Sequence, residues 1–149
     1  MERVIHFYRV GDEWGEFSNF ALFPIKLDGK IWPTSEHYFQ AQKFTDEAYR
    51  KKIRQTKPSM QAALLGRSRK QPLRRDWESV KDDVMRKAVL AKFAQHEELG
   101  LLLLSTGDAT LVEHTDNDSY WGDGGHGKGR NRLGHILMEV REQLRRDGK

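Results

Sequence analysis

The stretch Phe23–Phe44, FPIKLDGKIWPTSEHYFQAQKF, decides the fold. Asp28-Gly29 stands between two short apolar flanks, a two-residue turn signal that predicts a β-hairpin over Phe23–Trp32. Pro33-Thr34-Ser35-Glu36 then reads as a helix start. Thr34 or Ser35 offers a capping oxygen, and Glu36 brings a carboxylate into the first turn. This helix is expected to run to about Phe44. A hairpin feeding a helix, with more helices after it, gives an α+β class.

Outward from this stretch, Val4–Val10 alternates loosely and reads as a strand. Asp46–Gln55 reads as a helix, and Pro58 opens a third that ends near Gly66. Ser79 and Asp82 form an S-x-x-D start signal ahead of a long amphipathic helix. Its stripe is Val80, Val84, Ala88 and Ala91, widened by Met85, Val89 and Phe93. Glu97–Ser105 is expected to be helical and Thr110–His114 a short strand. Leu133, Ile136, Leu137, Val140 and Leu144 mark an amphipathic C-terminal helix. The expected architecture is one compact, predominantly helical domain over residues 1–149, with a small antiparallel sheet near its N-terminal half. The helical stripes are assigned to packing.

The composition agrees. Of 149 residues, 37% are hydrophobic and 32% charged, which is the balance of a globular chain rather than a disordered one. No apolar run approaches the roughly 20 residues that span a bilayer. Asp12, Glu13 and Glu16 interrupt the N-terminal stretch, so it does not read as a secretory signal, and a cytoplasmic location is expected. Without cysteine there is no disulfide framework, thiolate nucleophile or cysteine-ligated zinc. The net charge of +4 suits an anionic small molecule or nucleic acid as ligand. No obligate protein partner is implied.

Gly122–Lys128 spells G-x-x-x-x-G-K, the first seven positions of a phosphate-binding P-loop. Gly129 stands where that loop needs a Ser or Thr for magnesium, and EHTDNDSY before it is polar and turn-like where a buried strand is required. The triphosphate-hydrolase reading therefore fails. The glycines still need a cause. Gly122, Gly124, Gly125, Gly127 and Gly129 permit positive φ and close backbone approach, so their amides could cradle an anion beside Lys128 and Arg130. A plain flexible loop would not need Tyr120-Trp121, nor Asp123 and His126, which are reacting side-chain types.

In the first helix, Glu36, Gln40 and Lys43 fall at i, i+4 and i+7 and share one face. A buried Glu–Lys pair there is a site candidate, because burial and mutual charge shift both groups. A solvated salt-bridge face is the alternative. Asn19, Trp77 and Trp121, among other aromatics and amides, could wall a heterocyclic base. Arg67 and its basic neighbours could meet phosphate. No H-x-x-x-H pair or adjacent carboxylates predict a metal, and no cofactor is expected.

FSNFALFPIKLDGKIWPTSEHYFQAQKF, GRSRKQPLRRDWESVKDDVM and LVEHTDNDSYWGDGGHGKGRNRLGHILMEVREQL together resemble the NADAR superfamily, and within it the YbiA-like N-glycosidases. The resemblance runs from Ile5 to Leu144. It implies hydrolysis of a glycosidic bond to an exocyclic amine, as in the ribosylamino-pyrimidine 5′-phosphates of riboflavin biosynthesis, with release of ribose 5-phosphate. Other branches remove ADP-ribose from guanine in nucleic acid, and a non-enzymatic module for ADP-ribose-like nucleotides is a third reading.

Under the resemblance, Glu36 serves as general acid and base and Lys43 as a Schiff-base amine. Asp123 orients water or the ribose hydroxyls. Trp77 and Trp121 act as walls, and Asn19, Gln40 and His126 add substrate contacts. The 5′-phosphate meets the amides of Gly124, Gly125 and Gly127 together with Lys128, Arg130 or Arg67. A direct route using Glu36 and Asp123 as paired carboxylates is the competing mechanism.

Overall fold

A computed structural model describes residues 3–148. In chain order the elements are β1 (Val4–Phe7), β2 (Ile25–Leu27), β3 (Lys30–Trp32), α1 (Ser35–Ala41), α2 (Glu47–Gln55), α3 (Ser59–Arg67), α4 (Trp77–Gln95), α5 (Glu97–Ser105), β4 (Thr110–Glu113) and α6 (Arg132–Arg146). The class is α+β and mostly helical, as expected. None of the described helices is long and apolar enough to cross a membrane. Packing divides into two compact units, one formed by Asn19–Lys92 and the other by described residues 3–18 together with 93–148.

In the Asn19–Lys92 unit, β2 and β3 pair antiparallel, with Ile25 opposite Trp32. Asp28 (φ 55°) and Gly29 (φ 76°) both lie in the left-handed region, the geometry that lets a two-residue turn follow the twist of its strands. Thr34 caps α1 by accepting from the His37 amide at 3.1 Å. His37 is fully buried. Its Nε2 lies 2.9 Å from the Thr56 carbonyl, which can only accept, so Nε2 carries the proton. Burial holds this imidazole below its ordinary pKa and neutral. Its Nδ1 therefore accepts from the Thr34 hydroxyl at 2.7 Å. Ile25, Trp32, Tyr38, Phe44 and Ile53 form a cluster with alanines of α1, α3 and α4. Each large apolar side chain buried there contributes about 1.5–3 kcal/mol.

Three boundaries differ from the sequence expectation. The first helix ends at Ala41, and Lys43 sits on the tight turn that follows, its amide donating to Gln40 O at 3.3 Å. Helix α4 begins at Trp77, not at the Ser79-x-x-Asp82 signal. Trp77 is 5% exposed and packs on Phe39 with ring centroids 5.1 Å apart, and this burial draws the helix start upstream. Ser79 instead donates its hydroxyl to the Asp76 carbonyl at 2.8 Å. Finally, β1 ends at Phe7, short of the expected Val10, whereas α3 ends at Arg67, beside Gly66 as expected.

In the other unit, β1 and β4 pair in parallel, with Val4 opposite Thr110 and Phe7 opposite Glu113. Sequence reading had foreseen both strands but not their pairing. Helix α6 packs on β4 and α5, burying Leu133, Ile136, Leu137, Val140 and Leu144. Gly134 permits this approach: a Cβ there would overlap the backbone carbonyl oxygen of Leu111 and lie 2.4 Å or a little more from the Asn131 side-chain amide. Gly134→Ala is therefore expected to cost about 1–3 kcal/mol by overpacking, read as a lower urea midpoint. An unchanged midpoint would mean that α6 separates from β4 freely.

Candidate active site

The Asn19–Lys92 unit gathers one group of candidates at α1. Glu36, 8% exposed, accepts at Oε2 from Gln40 Nε2 at 2.6 Å. Its backbone amide donates to Asn19 O at 3.3 Å. Asn19 is occupied on both sides of its amide. Oδ1 accepts from Ser35 Oγ at 2.7 Å, and Nδ2 donates to Met85 Sδ at 3.2 Å. It thus ties the start of α1 to α4.

Lys43 is half-buried, with Nζ 5.7 Å from the centroid of the Phe39 ring, which in turn rests on Trp77. Its pKa is drawn down to about 8. Burial is the main cause, opposed by the Glu36 carboxylate and reinforced by the positive charges of Arg69, Arg67 and Lys81. Buried Glu36 and Gln40 and half-buried Lys43 therefore form a group backed by aromatic rings, not a solvated salt-bridge face. A cavity of about 380 Å³ beside α2, lined in part by Lys30, Trp32, Arg50 and Arg54, includes none of these groups.

The second group lies on the loop between β4 and α6. Asp123 is 5% exposed. Its Oδ1 accepts from the amides of Thr115 (3.1 Å) and Gly125 (2.9 Å), and its Oδ2 from His114 Nδ1 (2.7 Å). Burial alone would raise its pKa, but these donors outweigh burial and hold it at about 2. The carboxylate also keeps His114 above the ordinary histidine value. His114 was not foreseen as a candidate. The two residues are joined by no recognisable motif, so only the folded loop reveals the pair.

The glycines meet the conformational need expected of them. Gly124, Gly125 and Gly127 have φ of 72°, 82° and 83°. Their amides, however, largely serve the loop itself. Gly124 N donates to Asp118 O, Gly125 N to Asp123 Oδ1, Gly129 N to Asp123 O and Lys128 N to His126 Nδ1. His126, Lys128 and Arg130 are exposed, and the Arg130 guanidinium lies 5.0 Å above the Tyr120 ring. Trp121 is part-buried and packs edge-on against Tyr120.

His6, on β1, faces His114 with ring centroids 5.2 Å apart. Among the described residues, His6, His114 and Asp123 bring ligand-type atoms within 4.8 Å of one another and are the group that could hold a metal ion. Their distance in sequence explains why spacing predicted none. His114 Nδ1 and Asp123 Oδ2 already share a hydrogen bond.

The NADAR domain family matches residues 6–145. The chain belongs to the NADAR family. This NADAR chain is 66% identical to the N-glycosidase YbiA of Escherichia coli, over 96% of its own length and 89% of the relative's. It is 46% identical to an N-glycosidase of Nostoc punctiforme, over 95% and 93% respectively. A riboflavin biosynthesis protein of Vibrio vulnificus is also 46% identical, covering 97% of this chain but 39% of the relative. The NMR structure of E. coli YbiA superposes with a TM-score of 0.92, covering 99% of this chain and 89% of the other at 64% identity. The NADAR chain is thus an enzyme, a hydrolase of N-glycosyl compounds.

Proposed function

We propose that the chain cleaves the bond between a phosphorylated ribose and the exocyclic amine of a pyrimidine, releasing ribose 5-phosphate and the aminopyrimidine. The observation that carries this reading is Lys43, an amine drawn down to about pKa 8 beside the Glu36 carboxylate. A glycosylamine can open to an imine. The Lys43 nitrogen then adds to C1, the C1–N bond to the base breaks, and the base leaves as a free amine with a proton delivered by Glu36. Water adds to the resulting lysine–sugar imine, giving ribose 5-phosphate and regenerating Lys43. The net change consumes one water.

Arg67 and Arg69, close enough to act electrostatically on Lys43, suit the 5′-phosphate, and Gln40 orients Glu36. Phe39 and Trp77 form the aromatic backing. Since the loop amides are largely committed, Lys128 and Arg130 are the loop's own exposed cations, and Trp121 and His126 its ring side chains. Asp123 acts through the loop it fastens and through His114. The phosphorylated substrate fits a cytoplasmic enzyme, and the riboflavin-pathway name of the Vibrio relative fits the pyrimidine.

The test is release of free base by the purified protein from three ligands: a ribosylamino-pyrimidine 5′-phosphate, an oligonucleotide carrying ADP-ribosylated guanine, and free ADP-ribose as a binding probe. Release from the first alone is expected. Release only from the oligonucleotide would replace this reading with the nucleic-acid one, and binding of ADP-ribose without any release would replace both.

A further inference from the structure

Gly66 lies in α3 without the positive φ that would require a glycine. It is the penultimate residue of α3, and since no left-handed cap calls for a glycine there, its surroundings account for it. A Cβ placed there would overlap Gln40 Oε1 and stand 2.6 Å from Gln40 Cδ and 3.1 Å from Gln40 Cβ. All three are side-chain atoms of one residue on the neighbouring helix. Gln40 is itself 7% exposed, and its Nε2 makes the 2.6 Å hydrogen bond to Glu36. Its Oε1 is buried and has no hydrogen-bond partner. The amide is therefore held by two things, the space left at Gly66 on one side and the Glu36 carboxylate on the other.

We propose that Gly66 is a positioning residue for the N-glycosidase reaction: its missing side chain lets the Gln40 amide lie against α3 and donate to Glu36, which fixes the carboxylate. This rests on the role given to Glu36 above. A methyl group at position 66 displaces the far end of Gln40 and needs its Cβ to give by a few tenths of an ångström, a small change for the fold and a large one for the orientation of Glu36.

The test compares Gly66→Ala, Gln40→Ala, the double variant and Glu36→Gln for kcat, KM and thermal midpoint, with a ribosylamino-pyrimidine 5′-phosphate as substrate. Gly66→Ala is expected to keep or raise the thermal midpoint, to lower kcat about 10- to 100-fold, the scale of ångström-level misplacement, and to leave KM within about twofold. In the Gln40→Ala background the same step should change kcat less than about twofold, because no amide remains to displace. Wild-type kcat in Gly66→Ala, an equal loss in both backgrounds, or a loss that follows a lowered thermal midpoint would each overturn the proposal. If Glu36→Gln retains wild-type kcat, the role of Glu36 itself fails. If that variant is inactive while Gly66→Ala is unimpaired, only the Gly66 inference fails.

Discussion

Glu36→Gln is expected to lower kcat by about 10²- to 10⁴-fold, the usual worth of a positioned proton carrier, with little change in thermal midpoint. The substitution keeps shape and volume, and its amide oxygen still accepts from Gln40 Nε2 across the present 2.6 Å contact. Only the ability to give and take a proton is lost. A second readout separates this from misfolding. The Glu36 charge raises the Lys43 pKa against the burial that lowers it. Removing that charge must move Lys43 below about 8, seen as a lower midpoint in the pH dependence of Lys43 acylation. Unimpaired turnover in Glu36→Gln would remove Glu36 from the reaction.

The other large effect is at Lys43. With a pKa of about 8, about a quarter of this amine is neutral at pH 7.5, against about one in a thousand for an ordinary lysine. The neutral form is the nucleophile, so kcat/KM should rise with pH and level off above about 8. Arg69→Gln removes a repelling charge, so it should raise the Lys43 pKa and carry that limb to higher pH. Lys43→Ala is expected to lose on the order of 10³-fold or more, as oriented nucleophiles do when removed. Lys43→Arg should not rescue it, because a guanidinium stays protonated. Borohydride added during turnover should leave a reduced sugar on Lys43, detectable by peptide mass spectrometry. Full activity in Lys43→Ala, or no adduct in an active sample, would favour direct hydrolysis.

The hairpin and the capped helix were legible because their signals are local: Asp28-Gly29 adopts the left-handed turn it spells, and Thr34 caps the helix it precedes. Where signals depend on partners, sequence misled. Ser79-x-x-Asp82 is a sound start signal, but burying Trp77 on Phe39 outweighs it. Gly66 does stand near the end of α3, but the Gln40 side chain that packs against it comes from another helix and leaves no local signal. The Glu36–Gln40–Lys43 stripe was visible as spacing. The burial that makes Lys43 unusual was not, because it comes from surrounding elements. The parallel pairing of β1 with β4 joins strands about a hundred positions apart, beyond any local pattern.

Asp123 engages three donors and the surrounding amides bond among themselves, so the turn is prefabricated. Its length and backbone are frozen by internal bookkeeping of donors and acceptors, and an inserted or deleted residue would undo several bonds at once. Evolutionary latitude in this segment is therefore greatest at the outward tip of Lys128, whereas His126 is tied in by accepting from the Lys128 amide at 2.9 Å and Arg130 rests on the Tyr120 ring.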